Sequence, residues 1–369
     1  MNGLLILAGL RSLIGLCYNY QYFIGGGRSI VLMKKIFVTG GSGYIGAVVV
    51  KRLIERGYEV VVFDNLERGH RQNLEVEGGE RKLLCPLVVG DLRNAAEIGK
   101  AMVDVKPDAV IHFAAYALVG ESMTDPMMYF RNNVLGGINL LDAMATVGCE
   151  RIIFSSSCAT YGVPPSLPIE EDMPQNPTNP YGHSKLMFEQ ICKWHMTEVA
   201  KTKFRPTFLR YFNAAGAALG MVEDHDPETH IIPNVLKVAL GQKDFVQVFG
   251  DDYPTPDGTC VRDYVHLEDL CSAHILALEK DAVGAFNLGT GKGVSVKEIV
   301  EACRKVTGHP IPVKMCPRRP GDPPALYASG QKARSVLGWN PTHSDIETIV
   351  RDAWEAHQKF PNGLPDVTA

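Results

Sequence analysis

Short apolar runs that end in glycine or a polar residue recur along the first half of the chain. Lys35–Thr39 (KIFVT) runs straight into glycines, as a buried parallel strand does at its carboxyl end. Residues 47–56 then carry helical periodicity, and Gly57 stops them. Residues 59–63 (EVVVF), Leu87–Val89, residues 109–113 (AVIHF) and residues 152–155 predict further strands. Ala95–Val105 and residues 133–147 predict helices between them. Strand alternating with helix at this spacing predicts an α/β fold built on a doubly wound parallel sheet. Beyond about Ala214 the pattern loosens, and Pro, Gly and Asp accumulate in residues 251–258 and 317–324. A smaller mixed α/β lobe with binding loops is expected there, with some segments returning to the main sheet. The chain has no internal repeat and no low-complexity tract.

Gly40-Gly41-Ser42-Gly43-Tyr44-Ile45-Gly46 contains G-x-x-G-x-x-G between the first strand and the first helix. Glycines there let the backbone turn tightly and approach a pyrophosphate, while the helix N-terminus offers N–H groups and a positive dipole end. Asp64 closes the second strand. A carboxylate in that place accepts hydrogen bonds from an adenosine ribose and repels a 2′-phosphate, so NAD is expected rather than NADP. Asp91 and Leu92, after the third strand, are expected to flank the adenine, although Asp91 reads equally as a turn residue. The predicted organisation is residues 1–32 as an extension outside the fold, residues 33–213 as a Rossmann-like NAD-binding domain, and residues 214–369 mainly as a substrate lobe.

Tyr181-Gly182-His183-Ser184-Lys185 is Y-x-x-x-K at the start of a helix predicted to run to about Val199. Four residues make about one helical turn, so phenol and ammonium share a face. An ammonium beside a phenol favours phenolate, as would a cationic nicotinamide, and a Tyr so tuned can take a proton from a sugar hydroxyl. Ser155-Ser156-Ser157, at the end of a predicted strand, adds a hydroxyl where a carbonyl oxygen can be held. Each feature alone is common on helix surfaces and loops. Together, behind a dinucleotide fingerprint, they point to an enzyme with Tyr181, Lys185 and Ser157 as its catalytic set.

Composition narrows the partners. The chain is 46% apolar and 21% charged with a formal net charge of −4, so nothing favours a nucleic acid or an anionic membrane. An anionic ligand has to be held by local arginines. The nine cysteines, Cys17, Cys85, Cys149, Cys158, Cys192, Cys260, Cys271, Cys303 and Cys316, are irregularly spaced and form no C-x-x-C pair. Reduced thiols in a cytoplasmic enzyme, with no disulfide framework and no metal, are expected. No apolar run reaches the roughly 18 residues of a membrane helix. Residues 4–10 are apolar, but no basic residue precedes them as a signal peptide requires. Met33, followed by Lys34 and Lys35, is expected to begin the working enzyme; a targeting segment is the alternative for residues 1–32.

The chain resembles the extended short-chain dehydrogenase/reductase family, and within it the NAD-dependent epimerases acting on UDP-hexoses. The resemblance rests on TGGSGYIG (39–46), VIHFAA (110–115), VGES (119–122), NNV (132–134), NPYGHSK (179–185), LRYFNAAGA (209–217), FGDDYPTPDGTCVRDYVH (249–266), FNLGTG (286–291) and RRPGD (318–322). It spans about Lys34 to Trp354 in unbroken order. It implies reversible epimerisation of UDP-glucose and UDP-galactose at C4 through a 4-keto sugar, as in galactose metabolism. Tyr181 would be the base, Ser157 would hold O4, and Lys185 would bond the nicotinamide ribose. Gly40, Gly43, Tyr44, Ile45, Gly46, Asp64, Asn65, Leu66, Glu67, Arg68, Gly69, Asp91 and Leu92 would hold NAD. So would Phe113, Ala114, Ala115, Tyr116, Ala117, Asn133, Ser157, Tyr181, Lys185 and Phe212. The UDP end would be fixed by Arg262 and Arg319 on the diphosphate, Asn213 on the phosphate side, Asp322 on the uridine ribose, and Gln247, Val248 and Phe249 along the uracil. His230, Ile231 and Leu326 would complete the substrate site with Ser157 and Tyr181. The resemblance also implies a homodimer through a helix bundle, to which residues 133–147 and 180–200 are suited.

The chain departs from the family pattern in places. Ala117 stands where some members carry Lys, His230 and Ile231 where others have Asn and Leu, and Leu326 where Tyr often lies near the sugar. A roomier pocket, tolerant of 2-acetamido sugars, is therefore expected. Nucleotide-sugar dehydratases need an extra acid and base just after the Ser or Thr; Cys158 and Ala159 stand there instead. An epimerase of another UDP-sugar, such as UDP-GlcNAc, UDP-glucuronate or UDP-xylose, stays open as an alternative, and a non-catalytic NAD sensor is a distant one.

Overall fold

Runs of Val, Ile and Phe form the strands at the centre of the molecule. The computed structural model describes residues 34–76, 82–195, 203–225, 227–319 and 322–364. The expected N-terminal extension and the last turns of the helix expected to reach Val199 lie outside the described residues. From the amino end, β1 (Lys35–Thr39), α1 (Tyr44–Glu55), β2 (Glu59–Asp64), β3 (Leu87–Val89), α2 (Ala95–Val105) and β4 (Ala109–His112) follow in turn. Short helices α3 (Val119–Thr124) and α4 (Pro126–Tyr129) lead through a π-helical stretch, Phe130–Leu135, into α5 (Gly136–Val147). Then come β5 (Arg151–Ser157), α6 (Pro180–His195), β6 (Arg205–Tyr211) and β7 (Asn213–Ala215). The carboxyl-terminal part holds α7 (Ile231–Ala239), β8 (Val246–Phe249), β9 (Val261–Arg262), β10 (Tyr264–His266), α8 (Leu267–Glu279), β11 (Gly284–Leu288), β12 (Val294–Ser295), α9 (Val296–Thr307), β13 (Val313–Cys316), β14 (Ala325–Leu326) and α10 (Ile346–Lys359).

The main sheet has the order β3-β2-β1-β4-β5-β6-β11, and every neighbouring pair is parallel. All of β4 and all of β5 are buried. Burial on both faces is why these strands read as continuous apolar runs rather than as alternation. On one face α1 and α8 pack Val48, Val49 and Leu53 with Leu267, Leu270 and Ile275 against the sheet. On the other, α2, α5 and α6 contribute Ile98, Met102, Leu140, Met144, Phe188 and Cys192. The fold is therefore the expected doubly wound α/β sheet.

The seventh strand, β11, comes from far along the chain and pairs with β6 in the main sheet. A second core joins α7, α9 and α10, flanked by the parallel pair β8–β13 and the small sheet β12-β9-β14. Helix α9 opens with a reciprocal capping box between Ser295 and Glu298 and closes at Gly308 in the left-handed conformation. Among the described residues no helix is long and apolar enough to cross a membrane. The eight described cysteines are all free.

Candidate active site

The order of the main sheet reverses between β1 and β4, and ligands of open α/β sheets sit at such a switch point, beyond the carboxyl ends of the strands. A cleft of about 1590 Å³ lies there, lined by Gly40 after β1, Asp64 ending β2, Asp91 after β3, Phe113 after β4, Ser157 ending β5 and Phe212 after β6. A pocket for one small ligand is typically about 300–1,000 Å³. This one has room for two nucleotide-sized molecules.

The glycine turn holds close backbone contacts. Gly40 has φ +72°, and a Cβ there would stand 2.5 Å from the Ala114 backbone nitrogen. A Cβ on Gly46 would overlap the Gly40 carbonyl oxygen. Helix α1 opens without a side-chain cap and without an acidic residue in its first turn, leaving N–H groups and positive dipole for an anion. Asp64 is buried and accepts from the Ser42 amide at 3.0 Å and the Leu66 amide at 2.9 Å. It therefore ties the turn to the next loop, a task not read from sequence, and keeps lone pairs for a ribose. These features fit a dinucleotide.

Polar side chains close the far end of this wall. Asn65 donates to Asp91 and to Glu67 at 3.2 Å each. Arg93 pairs with both carboxylates, and Tyr116 donates to Glu67 at 2.6 Å. Hydrogen bonds from Arg93 hold Asp91 down at about 2. Arg68 pairs with Glu121 at 2.6 Å and lies over the Tyr116 ring.

Tyr181, Lys185 and Ser157 come together in the middle of the cleft. Asn179 accepts the Gly182 amide at 2.8 Å and so starts α6; Tyr181 and Lys185 follow on its first turns. The Tyr181 and Ser157 side chains both line the cleft. The Lys185 ammonium donates to the Ser155 carbonyl at 2.8 Å and lies 5.9 Å from the centre of the Tyr181 ring. One expectation fails in the protein alone. Burial pushes Tyr181 up to about 12, with the Ser157 hydrogen bond pulling the other way. Burial also pushes Lys185 down to about 7. In a dry site the ammonium is itself disfavoured, so it does not hold the phenol low.

A buried ion pair sets the catalytic helix on the sheet. Glu189, one turn beyond Lys185, meets Arg210 of β6 at 2.6 Å, with the side chains 0% and 2% exposed. Ser156, adjacent to Ser157, donates to the same carboxylate at 2.6 Å, and Arg210 also donates to Tyr161 at 2.7 Å. Removing one partner of such a pair typically costs about 3–5 kcal/mol.

The opposite wall is made of side chains on short strands and loops. Arg262 on β9 reaches Asp322 at 3.2 Å and the Pro323 carbonyl at 3.0 Å. Arg319 stacks on Phe249, its guanidinium carbon 4.2 Å from the ring centre. Arg318 turns away, pairs with Asp252 at 2.6 Å and stacks on Tyr253. Leu326 pairs in register with Arg262.

All but two of the residues expected to bind line this cleft, Asn213, His230, Ile231, Gln247 and Val248 among them. Leu66 does not; it sits at positive φ, its amide held by Asp64. Asn133 does not either. It is buried and bonds the Tyr116 amide and carbonyl at 2.9 and 3.0 Å and the Ser184 hydroxyl at 2.9 Å, so it positions Tyr116 from behind. Sequence reading missed Glu223, His225 and Glu228, which also line the cleft; their signal was six acidic or histidine residues among the eight from 223 to 230.

Fold and site together define a nucleotide-binding α/β protein with a Tyr–Lys–Ser constellation. Residues 36–289 match the NAD-dependent epimerase/dehydratase family, and the chain belongs to that family. It is 50% identical over 342 residues to the UDP-glucose 4-epimerase of Streptococcus mutans, covering 90% of this chain and 99% of that protein. A UDP-glucose 4-epimerase from Brucella ovis solved in complex with NAD is 47% identical, with a TM-score of 0.81 over 87% of this chain and 98% of that one. One from Bifidobacterium longum, in complex with NAD+ and UDP, is 39% identical, with a TM-score of 0.82 over 89% of this chain and 100% of that one.

Proposed function

We propose that this chain interconverts UDP-glucose and UDP-galactose by inverting C4 through a 4-keto sugar, with NAD held throughout. The observation that carries this reading is the meeting of Tyr181, Ser157 and Lys185 in one cleft with an uncapped glycine-turn helix. The names of the relatives and the UDP held by the Bifidobacterium structure support the substrate class. Residues 33–213 serve mainly the cofactor and residues 214–369 mainly the UDP-sugar. When bound, NAD would supply an acceptor for the C4 hydride and a positive charge that favours the Tyr181 phenolate. The glycine turn with Tyr44 and Ile45 would hold its pyrophosphate, Asp64 its ribose, and Asp91 and Leu92 its adenine.

Tyr181 takes the proton from the 4-hydroxyl and later returns it. The Ser157 hydroxyl holds O4 in both states. Lys185 bonds the nicotinamide ribose from the floor of the site. A sugar that must turn over cannot be gripped, so binding energy has to come from the UDP end, where Arg262 and Arg319 suit a diphosphate. The Asp-Glu pair that dehydratases use to eliminate water is absent beside Ser157, where Cys158 and Ala159 stand. Burial pushes the Cys158 thiol up to about 12, so it is no proton carrier. Helices α3–α6 and the π-helical stretch leave Met123, Met127, Leu135, Ile138 and Trp194 exposed, which supports a homodimer through this helical face. The free cysteines among the described residues support a cytoplasmic enzyme.

Incubation of the purified protein with UDP-galactose, without added NAD, tests the proposal. UDP-glucose should form with no net NADH. Tyr181→Phe should lower kcat by roughly 10²–10⁴-fold, the usual worth of a positioned proton carrier. No conversion of UDP-galactose, even with NAD supplied, would refute it.

A further inference from the structure

Four side chains in the loop before α7 converge on one point. The donor atoms of Glu223, His225, Glu228 and His230 all lie within 4.8 Å of one another. His230 Nδ1 stands 2.9 Å from an oxygen of each carboxylate, and His225 Nδ1 stands 3.6 and 3.7 Å from the same two groups. A tetrahedral ion with bonds of about 2.0–2.2 Å holds its ligand atoms roughly 3.3–3.6 Å apart. The observed spacings bracket that value.

Imidazolium–carboxylate pairing accounts for His230, whose Nδ1 lies 2.9 Å from both carboxylates, and leaves His225 to be explained. Charge-assisted N–H···O bonds run at about 2.7–2.9 Å, yet His225 Nδ1 is sealed from solvent and, among the described residues, has no acceptor nearer than the two carboxylates at 3.6 and 3.7 Å. The Glu223 and Glu228 side chains are 6% and 3% exposed, and among the described residues their ion-pair partners are these two histidines alone. Against the effect of burial, the Glu223 and Glu228 carboxylates raise His225 to about 9 and His230 to about 10, so two protons balance the two carboxylates in the metal-free chain. One divalent ion replaces those two protons at unchanged net charge and takes both imidazole nitrogens as ligands.

We propose that Glu223, His225, Glu228 and His230 form a four-ligand site for a divalent transition-metal ion of the zinc type. Two imidazoles with two carboxylates suit zinc; magnesium and calcium prefer oxygen alone. Because all four ligands come from one short segment, the ion closes a small loop. The Tyr44 ring lies 6.3 Å from the His225 ring, and His230 is the residue that opens α7. The ion therefore fixes the start of α7 beside the amino end of α1, at the cleft wall.

The test reads metal and not turnover, so it stands apart from the epimerase reading. Full-length protein is stripped with a chelator, equilibrated with ZnCl2 in excess MgCl2, desalted, and its metal counted by mass spectrometry. About one zinc per chain is expected, falling below about a tenth in the Glu223→Gln/His225→Ala double variant. Circular dichroism shows whether the variant is folded. Should it not fold, cobalt(II) added to the stripped wild-type chain decides: an intense visible band marks four-coordination. Equal zinc in wild type and folded variant would overturn the proposal. So would a wild-type chain without the cobalt band whose imidazole ¹⁵N resonances stay protonated and unmoved by ZnCl2.

Discussion

The two walls of the cleft are built by different means. The wall formed by β1, β2 and β4 is mostly backbone: a glycine turn at positive φ, packed on the Ala114 backbone, and a helix end with free N–H groups. The facing wall is mostly side chain: Arg262 on a strand of two residues, Arg319 on a loop stacked over Phe249, Asp322 further along the same loop. Backbone recognition is stiff and suits a ligand that stays. Long side chains on loops suit a ligand that enters, turns one end over and leaves. The difference matches a reaction in which NAD is retained while the UDP-sugar exchanges.

The comparison can be broken at its stiff side with the largest effect. Gly40→Ala forces a Cβ into Ala114 backbone that cannot yield. Purified Gly40→Ala should carry almost no NAD, measured after acid extraction, and its activity should fall with the cofactor. On the facing wall Arg319→Ala should keep NAD at the wild-type level. It should raise KM for UDP-galactose about 10–100-fold, the worth of about 1.5–3 kcal/mol of hydrogen bonding to a charged group, with kcat little changed.

Between the walls, Lys185 predicts a pH effect on stability. Its folded value, about 7, lies below its ordinary 10.5. Across that window the unfolded chain binds more protons at this site, so stability rises with pH; the penalty is complete below about 7 and gone above about 10.5. In cofactor-free protein Lys185→Met should therefore be more stable than wild type by a few kcal/mol at pH 6, and the gain should shrink towards pH 10. Urea unfolding at both pH values measures it. The smallest effect is expected at Leu326, which lines the cleft without a hydroxyl. Comparable kcat/KM for UDP-GlcNAc and UDP-glucose, narrowed several-fold in favour of UDP-glucose by Leu326→Tyr, is the result to look for. Undetectable turnover of UDP-GlcNAc by the wild type would remove the idea of a roomier pocket.

What could be read from sequence follows the same division. Lys35–Thr39, Leu87–Val89 and Ala95–Val105 were legible to the residue, because buried parallel strands and amphipathic helices leave strong periodic patterns. The helix expected over residues 133–147 begins as a regular helix only at Gly136, after a π-helical stretch with no distinct residue pattern. Strands β9 and β14 have two residues each, too few for any period, so the facing wall was visible only through the family resemblance. Asn133 was assigned to the cofactor by its matched position in the family; that its side chain also holds Tyr116 from behind leaves no mark in the sequence. Lys185 was expected to lower Tyr181; no sequence shows how dry a site is, and burial decides that balance. The Glu223–His230 cluster escaped because a metal was sought among cysteines.

Hydride return is the centre of this account, and label retention tests it most directly. UDP-galactose carrying deuterium at C4 is converted in ordinary water, and the UDP-glucose is examined by mass spectrometry and NMR. The account predicts that deuterium stays at C4 of the product and that no NADH is released. Loss of the label to solvent, or release of reduced cofactor in step with substrate, would contradict it.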